Sequence, residues 1–296
     1  MLQKLTLLQL LLIFLPSLAS LHAQHSEILF LGSSSTYFHE MPMQVASRLD
    51  RISAYGNVTH HWVGESGTWT WKYLNEDYRP KSGLPDAFTG NVLDYIRQNN
   101  FRWISLQVAL GQWDEWKRTI PQYAQAAKAS GSQLLLYEQS WKPDTEKVLA
   151  NSPLLRIAQE QALTIVPCAS AWDAVYKDYP KWDLQDSYFS EKRGYAVRDG
   201  THPGLLGNYL NQACFLAAIT GRHPDGLMPN NFYHHDRMAH PESKLYIPPG
   251  ITLIEPSSNG LARFSLEPSL GKYLRKVAWE TYSEVSKLQQ EVNKTQ

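Results

Sequence analysis

Residues 27–36 read EILFLGSSST, and the fold turns on how that stretch is read. Residues 28–31 are a compact apolar run that stops at Gly32, after which SSSTYFHEMPMQVASRLDRI takes on the apolar spacing of a helix. The reading is strand, tight turn, helix. The pattern repeats outward. VTHHWVGES (58–66) fits a strand entering a Gly/Ser loop, and FRWISLQVAL (101–110), SQLLLYEQSW (132–141) and TIVPCASAW (164–172) begin as buried strands. Between them, residues 120–131 and 154–163 carry helical periodicity, the first closing on Gly131. Parallel neighbours need crossover helices, so this alternation predicts an α/β protein: a three-layer α/β/α sandwich around a mostly parallel sheet. Ligands in such sheets sit beyond the carboxyl ends of the strands, where Gly32, Gly64, Gly67 and Gln107 fall.

The rest of the chain frames this core. Residues 1–24 have a basic start, an apolar run at 5–15 and a small-residue end, the layout of a secretory signal peptide. That run is about half the ~20 residues a bilayer span requires, so export to the periplasm or medium is expected, with no membrane span afterwards. Residues 25–296 read as one domain. Within it, 227–264 is an irregular surface excursion rich in Pro, Asn and Ser with room for a small hairpin, and 270–292 returns to a helix that docks on the sheet. The 28 basic residues balance 28 acidic ones, so no basic surface recommends nucleic acid as a partner. Cys168 and Cys214 sit in apolar stretches, where buried free thiols are expected, although an exported protein also permits a disulfide.

Two constellations can carry chemistry. GSSST (32–36) places serines on a strand-to-helix turn, where a hydroxyl projects beyond the sheet and helix N–H groups can receive a developing oxyanion. Serines there also simply cap helices, and there is no GxSxG elbow. DGTHP (199–203) sets an acid three residues before a histidine, so one loop can bring the Asp199 carboxylate to one nitrogen of His202 and leave the other free. His234, His235, Asp236 and His240 have the composition of a metal cluster, but the sequence offers no matched second element and no metal is expected.

Taken together, GSSST after ILFL, the glycine block VGESGTW and DGTHPGLLGNYLNQACFLAAITGRHP resemble the SGNH hydrolases, the GDSL-type esterases, over residues 28–224. The resemblance implies a flavodoxin-like fold and a cofactor-free serine esterase with Ser34 as nucleophile, His202 as base and Asp199 as its orienting acid. It further implies an oxyanion hole from the N–H groups of Ser34 and Gly67, with Gly64 as the other candidate. The third block departs from the family pattern: WISLQVALGQ has no GxND, and Gln107 is the residue whose amide can replace the missing asparagine. The substrate class expected is a small-molecule or glycan ester, with O-acetyl groups on a carbohydrate favoured because Trp62, Trp69, Trp71, Trp113, Trp116 and Trp141 fall in segments near the site, where indoles stack on sugars. The same tryptophans can equally be core. The alternative is a catalytically weak or inactive secreted carbohydrate-binding protein on the same frame. If active, the enzyme should lose rate in mild acid as a histidine base becomes protonated.

Overall fold

A computed structural model describes residues 25–75, 78–139, 152–235, 242–256 and 260–292. The expected leader at 1–24, Trp141, Asp236 and His240 lie outside these residues. Strands β1 (Ser26–Gly32), β2 (Val58–Gly64), β3 (Trp103–Val108), β4 (Gln133–Glu138) and β5 (Thr164–Val166) form one sheet in the order β2-β1-β3-β4-β5, every pairing parallel. This order, 2-1-3-4-5, is that of flavodoxin-like doubly wound sheets, whose ligand crevice opens where the order reverses, beside β1 and β3.

The strands read as continuous apolar runs because both faces are covered. Along β1, Ile28 and Phe30 enter one core and Leu29 and Leu31 the other, as the two-residue period requires. The first core receives α2 (Met41–Asp50), α6 (Cys168–Asp178), α7 (Leu205–Thr220) and much of α8 (Pro268–Val292). The second receives α3 (Val92–Gln98), α4 (Trp113–Ala129) and α5 (Pro153–Glu160). Helix α1 (Ser34–Tyr37) is the short piece directly after β1, followed by a 3-10 turn at Phe38–Glu40.

The helix α7 is buried nearly all round, so it lacks a polar stripe and reads simply as apolar. Cys168 and Cys214 are both buried free thiols. Burial, and then the neighbouring Cys214, push the Cys168 thiol well above its ordinary range. Among the described residues, no helix is long and apolar enough to cross a membrane.

Two small antiparallel sheets go beyond the expected plan. The hairpin β6 (Gln185–Ser190) and β7 (Tyr195–Pro203) pairs with β9 (Ser243–Leu245), giving the order β7-β6-β9. The excursion also supplies β8 (Asn231–His235), β10 (Ile251–Glu255) and β11 (Leu261–Leu266), ordered β10-β11-β8. The stretch thus holds more sheet than the small hairpin its sequence suggests. Phe232, Ala262, Phe264 and Leu266 alternate inward and join the first core, a pattern too short and too interrupted by Pro and Gly to stand out in sequence.

Candidate active site

The site begins at the end of β1. Gly32 must be glycine: a Cβ there would lie 2.0 Å from Thr36 Oγ1 and 2.6 Å from Gln107 Oε1. Ser33 is the extended N-cap, and Ser34 is the first helical residue of α1. The N–H groups of a helix's first turn have no partner within the helix, so the start of α1 is a local positive end. Ser34 is 8% exposed and lines a cavity of about 70 Å³ together with Ser35, Gly67, Trp69, Gln139 and Thr201.

A layer of amides fixes the serine turn from beneath. Gln107, buried at the end of β3, accepts from the Ser33 N–H at 2.7 Å and from the Thr36 hydroxyl, while its own amide donates to Ser33 Oγ at 3.0 Å and to Gln139 Oε1 at 2.7 Å. Both Gln107 donors are therefore engaged under the turn and do not line the cleft, in contrast to the oxyanion role expected for them. The amide that reaches the cleft belongs to Gln139, just past β4, whose Nε2 donates to Ser35 Oγ at 3.2 Å. Sequence alone does not single out Gln139. In YEQSW nothing marks a glutamine two strands from the serine; only the position at the carboxyl end of β4 selects it.

The two glycines of the second block separate clearly. Gly64 pairs with Gly32 across β1 and β2, donates its N–H to Ser82 at 3.1 Å, and leaves no room for a side chain, since a Cβ would lie 2.1 Å from the Gly32 carbonyl oxygen. Gly67, at φ +72°, lines the cleft, and its N–H makes no hydrogen bond among the described residues. That left-handed conformation is one glycine adopts without strain.

The histidine arrives on β7. Asp199 Oδ2 meets His202 Nδ1 at 2.7 Å, and Asp199 Oδ1 accepts the backbone N–H of Thr201 at 2.8 Å and of His202 at 2.9 Å. Gly200, at φ +76°, allows the tight turn between them. Burial works to raise the Asp199 carboxyl, but the hydrogen bonds from the His202 ring and from the two backbone N–H groups outweigh it and hold it well below the usual carboxylate range. The other ring nitrogen, Nε2, is buried and makes no hydrogen bond among the described residues. The His202 ring is stacked on Phe38, centroids 4.0 Å apart, and α1 packs against β7, which brings the serine turn and the strand that carries the imidazole together.

Behind Phe38 lies a second histidine group. His39, Asp186 and His234 are fully buried, their ligand-type atoms all within 4.8 Å of one another. Each imidazole Nε2 is 3.8 Å from an Asp186 oxygen, and the two rings stack with centroids 3.4 Å apart. The expectation that His234 lacks a matched element is thereby corrected, because the 3-10 turn and β6 bring His39 and Asp186 to it from distant sequence. Two imidazoles and a carboxylate are a donor set suited to a zinc-like ion. Their nearly parallel rings, 17° apart, set the two donors side by side instead of converging them.

Of the six tryptophans expected near the site, Trp69 lines the cleft. Trp62 stacks on Tyr37, and Trp116 is fully buried core with its indole N–H on the Ala109 carbonyl. Trp71 and Trp113 pack against the second core. The chain matches no family model and no curated protein.

Proposed function

We propose that this chain is an exported serine esterase of the SGNH type, acting on short acyl esters, with the acetyl groups of a decorated carbohydrate as the substrate class. One observation carries the reading. A 2.7 Å Asp199–His202 contact leaves the imidazole Nε2 buried and without a hydrogen bond among the described residues, on a strand packed against the short helix that Ser34 begins. In the reaction, His202 Nε2 takes the proton of Ser34 Oγ as that oxygen bonds to the ester carbonyl carbon. The C–O bond to the alcohol then breaks and the alcohol leaves with the proton from His202. Water, deprotonated by the same nitrogen, releases the carboxylic acid from Ser34.

The developing oxyanion would receive the N–H groups of Ser34 and Gly67. Gln139, held by Gln107 and lining the cavity, supports the reading as the side-chain donor in place of the missing GxND asparagine. A cavity of about 70 Å³ suits an acetyl group and is far below the ~300 Å³ and upward of ordinary ligand pockets. Trp69 also lines the cavity, and an indole is a side chain suited to stacking on a sugar ring.

The test is labelling with a fluorophosphonate probe, followed by rates on nitrophenyl acetate, nitrophenyl octanoate and acetylated xylan. Wild-type protein should label and prefer acetyl esters, whereas Ser34→Ala should not label and should lose about 10⁵–10⁶-fold in kcat. Well-folded wild-type protein that neither labels nor turns over acetate would overturn the enzyme reading and favour a carbohydrate-binding protein on the same frame.

A further inference from the structure

We propose that the groove between α2 and the β8–β11 pair is a second site, binding a ring-sized ligand that carries a carboxylate or phosphate, with Arg48 as its anchor. The groove encloses about 460 Å³ and is lined by Gln44, Arg48, Arg51, Phe232, Tyr233 and Arg263 among others. Its volume lies within the range of pockets for small ligands, roughly 300–1,000 Å³.

Arg48 is the unusual member. It is only 5% exposed, yet no carboxylate pairs with it among the described residues. Its Nε donates to Gln212 Oε1 at 2.7 Å and its Nη2 to the Asn231 carbonyl at 3.1 Å, both neutral acceptors, while Nη1 makes no hydrogen bond among the described residues. A buried guanidinium has five donors in a planar fork, and here most of that fork is not met by protein. The surrounding charge compounds the cost. Burial above all, with smaller contributions from Arg51 and Arg275, lowers Arg48 to about 10 against the opposing effect of Tyr209. It remains a cation at neutral pH, and a buried cation without a counter-charge is expensive unless a ligand supplies one.

The rest of the groove fits such a ligand. Arg51 is exposed at the rim and has no ion-pair partner among the described residues, whereas Arg263 is shared with Glu255 at 3.3 Å. Tyr233, 40% exposed, and Met43 offer an apolar wall to a ring. The wall is fixed, because Gln44 clamps the Tyr233 backbone at both its N–H and carbonyl, each at 2.8 Å. A planar carboxylate or a phosphate matches the free edge of the Arg48 fork bidentately. The inference does not depend on esterase activity, since none of these residues lines the Ser34 cleft.

Calorimetric titration of the purified protein with glucuronate, glucose 6-phosphate, glucose and inorganic phosphate tests the site, with thermal melting in parallel. Saturable binding of glucuronate or glucose 6-phosphate, weakening with salt, is expected, and glucose should not bind. Arg48→Gln should weaken that binding about a hundredfold, without lowering the melting temperature, because it removes an uncompensated buried charge. Should Arg48→Gln fail to fold, the rim pair Arg51→Ala/Arg263→Ala still decides. It should bind about tenfold more weakly with a flatter salt dependence, while Arg97→Gln on α3 leaves binding unchanged. The proposal is overturned if neither sugar anion binds saturably, if glucose binds as well as they do, if inorganic phosphate alone matches the sugar phosphate, or if the rim pair binds as wild type.

Discussion

Asp199 with His202, and Asp186 with His39 and His234, are both carboxylate–imidazole groups, and Phe38 stands between them, stacked on His202 and set edge-on to His39 with centroids 4.3 Å apart. They differ in every respect that matters for chemistry. The first is local in sequence, short at 2.7 Å, and borders the cleft through its neighbour Thr201. The second is assembled from three distant segments, has 3.8 Å separations and is sealed from solvent. A tight pair with one nitrogen left over is suited to moving a proton. A group sealed from solvent and drawn from three segments is suited to holding those segments together. His39 and its neighbour Glu40 sit at φ +62° and +54°, a left-handed pair of non-glycine residues that only a well-determined surrounding maintains.

The sharpest way to break this contrast is to neutralise each carboxylate. Asp199→Asn should cost about 10⁴-fold in kcat, because an amide stabilises the wrong imidazole tautomer and no developing imidazolium. Asp186→Asn should leave kcat within about tenfold while lowering stability by about 3 kcal/mol, as expected when one partner of a buried charged group is removed. Nitrophenyl acetate turnover and urea unfolding on the same samples measure both. An equal loss of kcat in folded Asp186→Asn would erase the division of roles.

The amide layer offers a smaller effect. Gln139→Ala should lower kcat about a hundredfold with little change in KM, the signature of a donor used in the transition state. Gln107→Ala should instead act mainly on stability, by about 1–3 kcal/mol, because it leaves the Ser33 N–H and the Thr36 hydroxyl without their buried acceptor. If Gln107→Ala loses rate without losing stability, Gln107 rather than Gln139 is the donor.

The smallest effect is pH-dependent. The Asp199 carboxyl is held below its ordinary range in the folded chain. Its contribution to stability is therefore present above the unfolded-state value of about 4 and fades as pH falls below that toward the folded one. The difference in unfolding midpoint between wild type and Asp199→Asn should be largest near neutral pH and shrink between about pH 4 and about pH 2. A difference that grows on acidification would contradict the hydrogen-bonded carboxylate.

Much of this was legible because it is local. The strand-turn-helix at 27–36, the apolar runs of β1, β3 and β4, and the three-residue spacing of Asp199 and His202 are all properties of adjacent residues. Backbone periodicity and a single turn suffice to produce them. The antiparallel sheets were less legible. The pairing of β6 with β9, and of β11 with β8, joins segments dozens of residues apart with few apolar positions each.

By itself, then, the sequence determined an α/β sheet with Ser34 in the turn after its first strand, and a histidine oriented by the acid three residues before it. Only the tertiary structure decided which amide faces the cleft, that Gly67 rather than Gly64 has an N–H without a hydrogen bond among the described residues, and that His234 meets His39 and Asp186. It also decided that Arg48 lies buried with no carboxylate paired to it among the described residues. These are contacts between strand ends, and the carboxyl edge of a parallel sheet gathers residues whose separation in sequence carries no record of their distance in space.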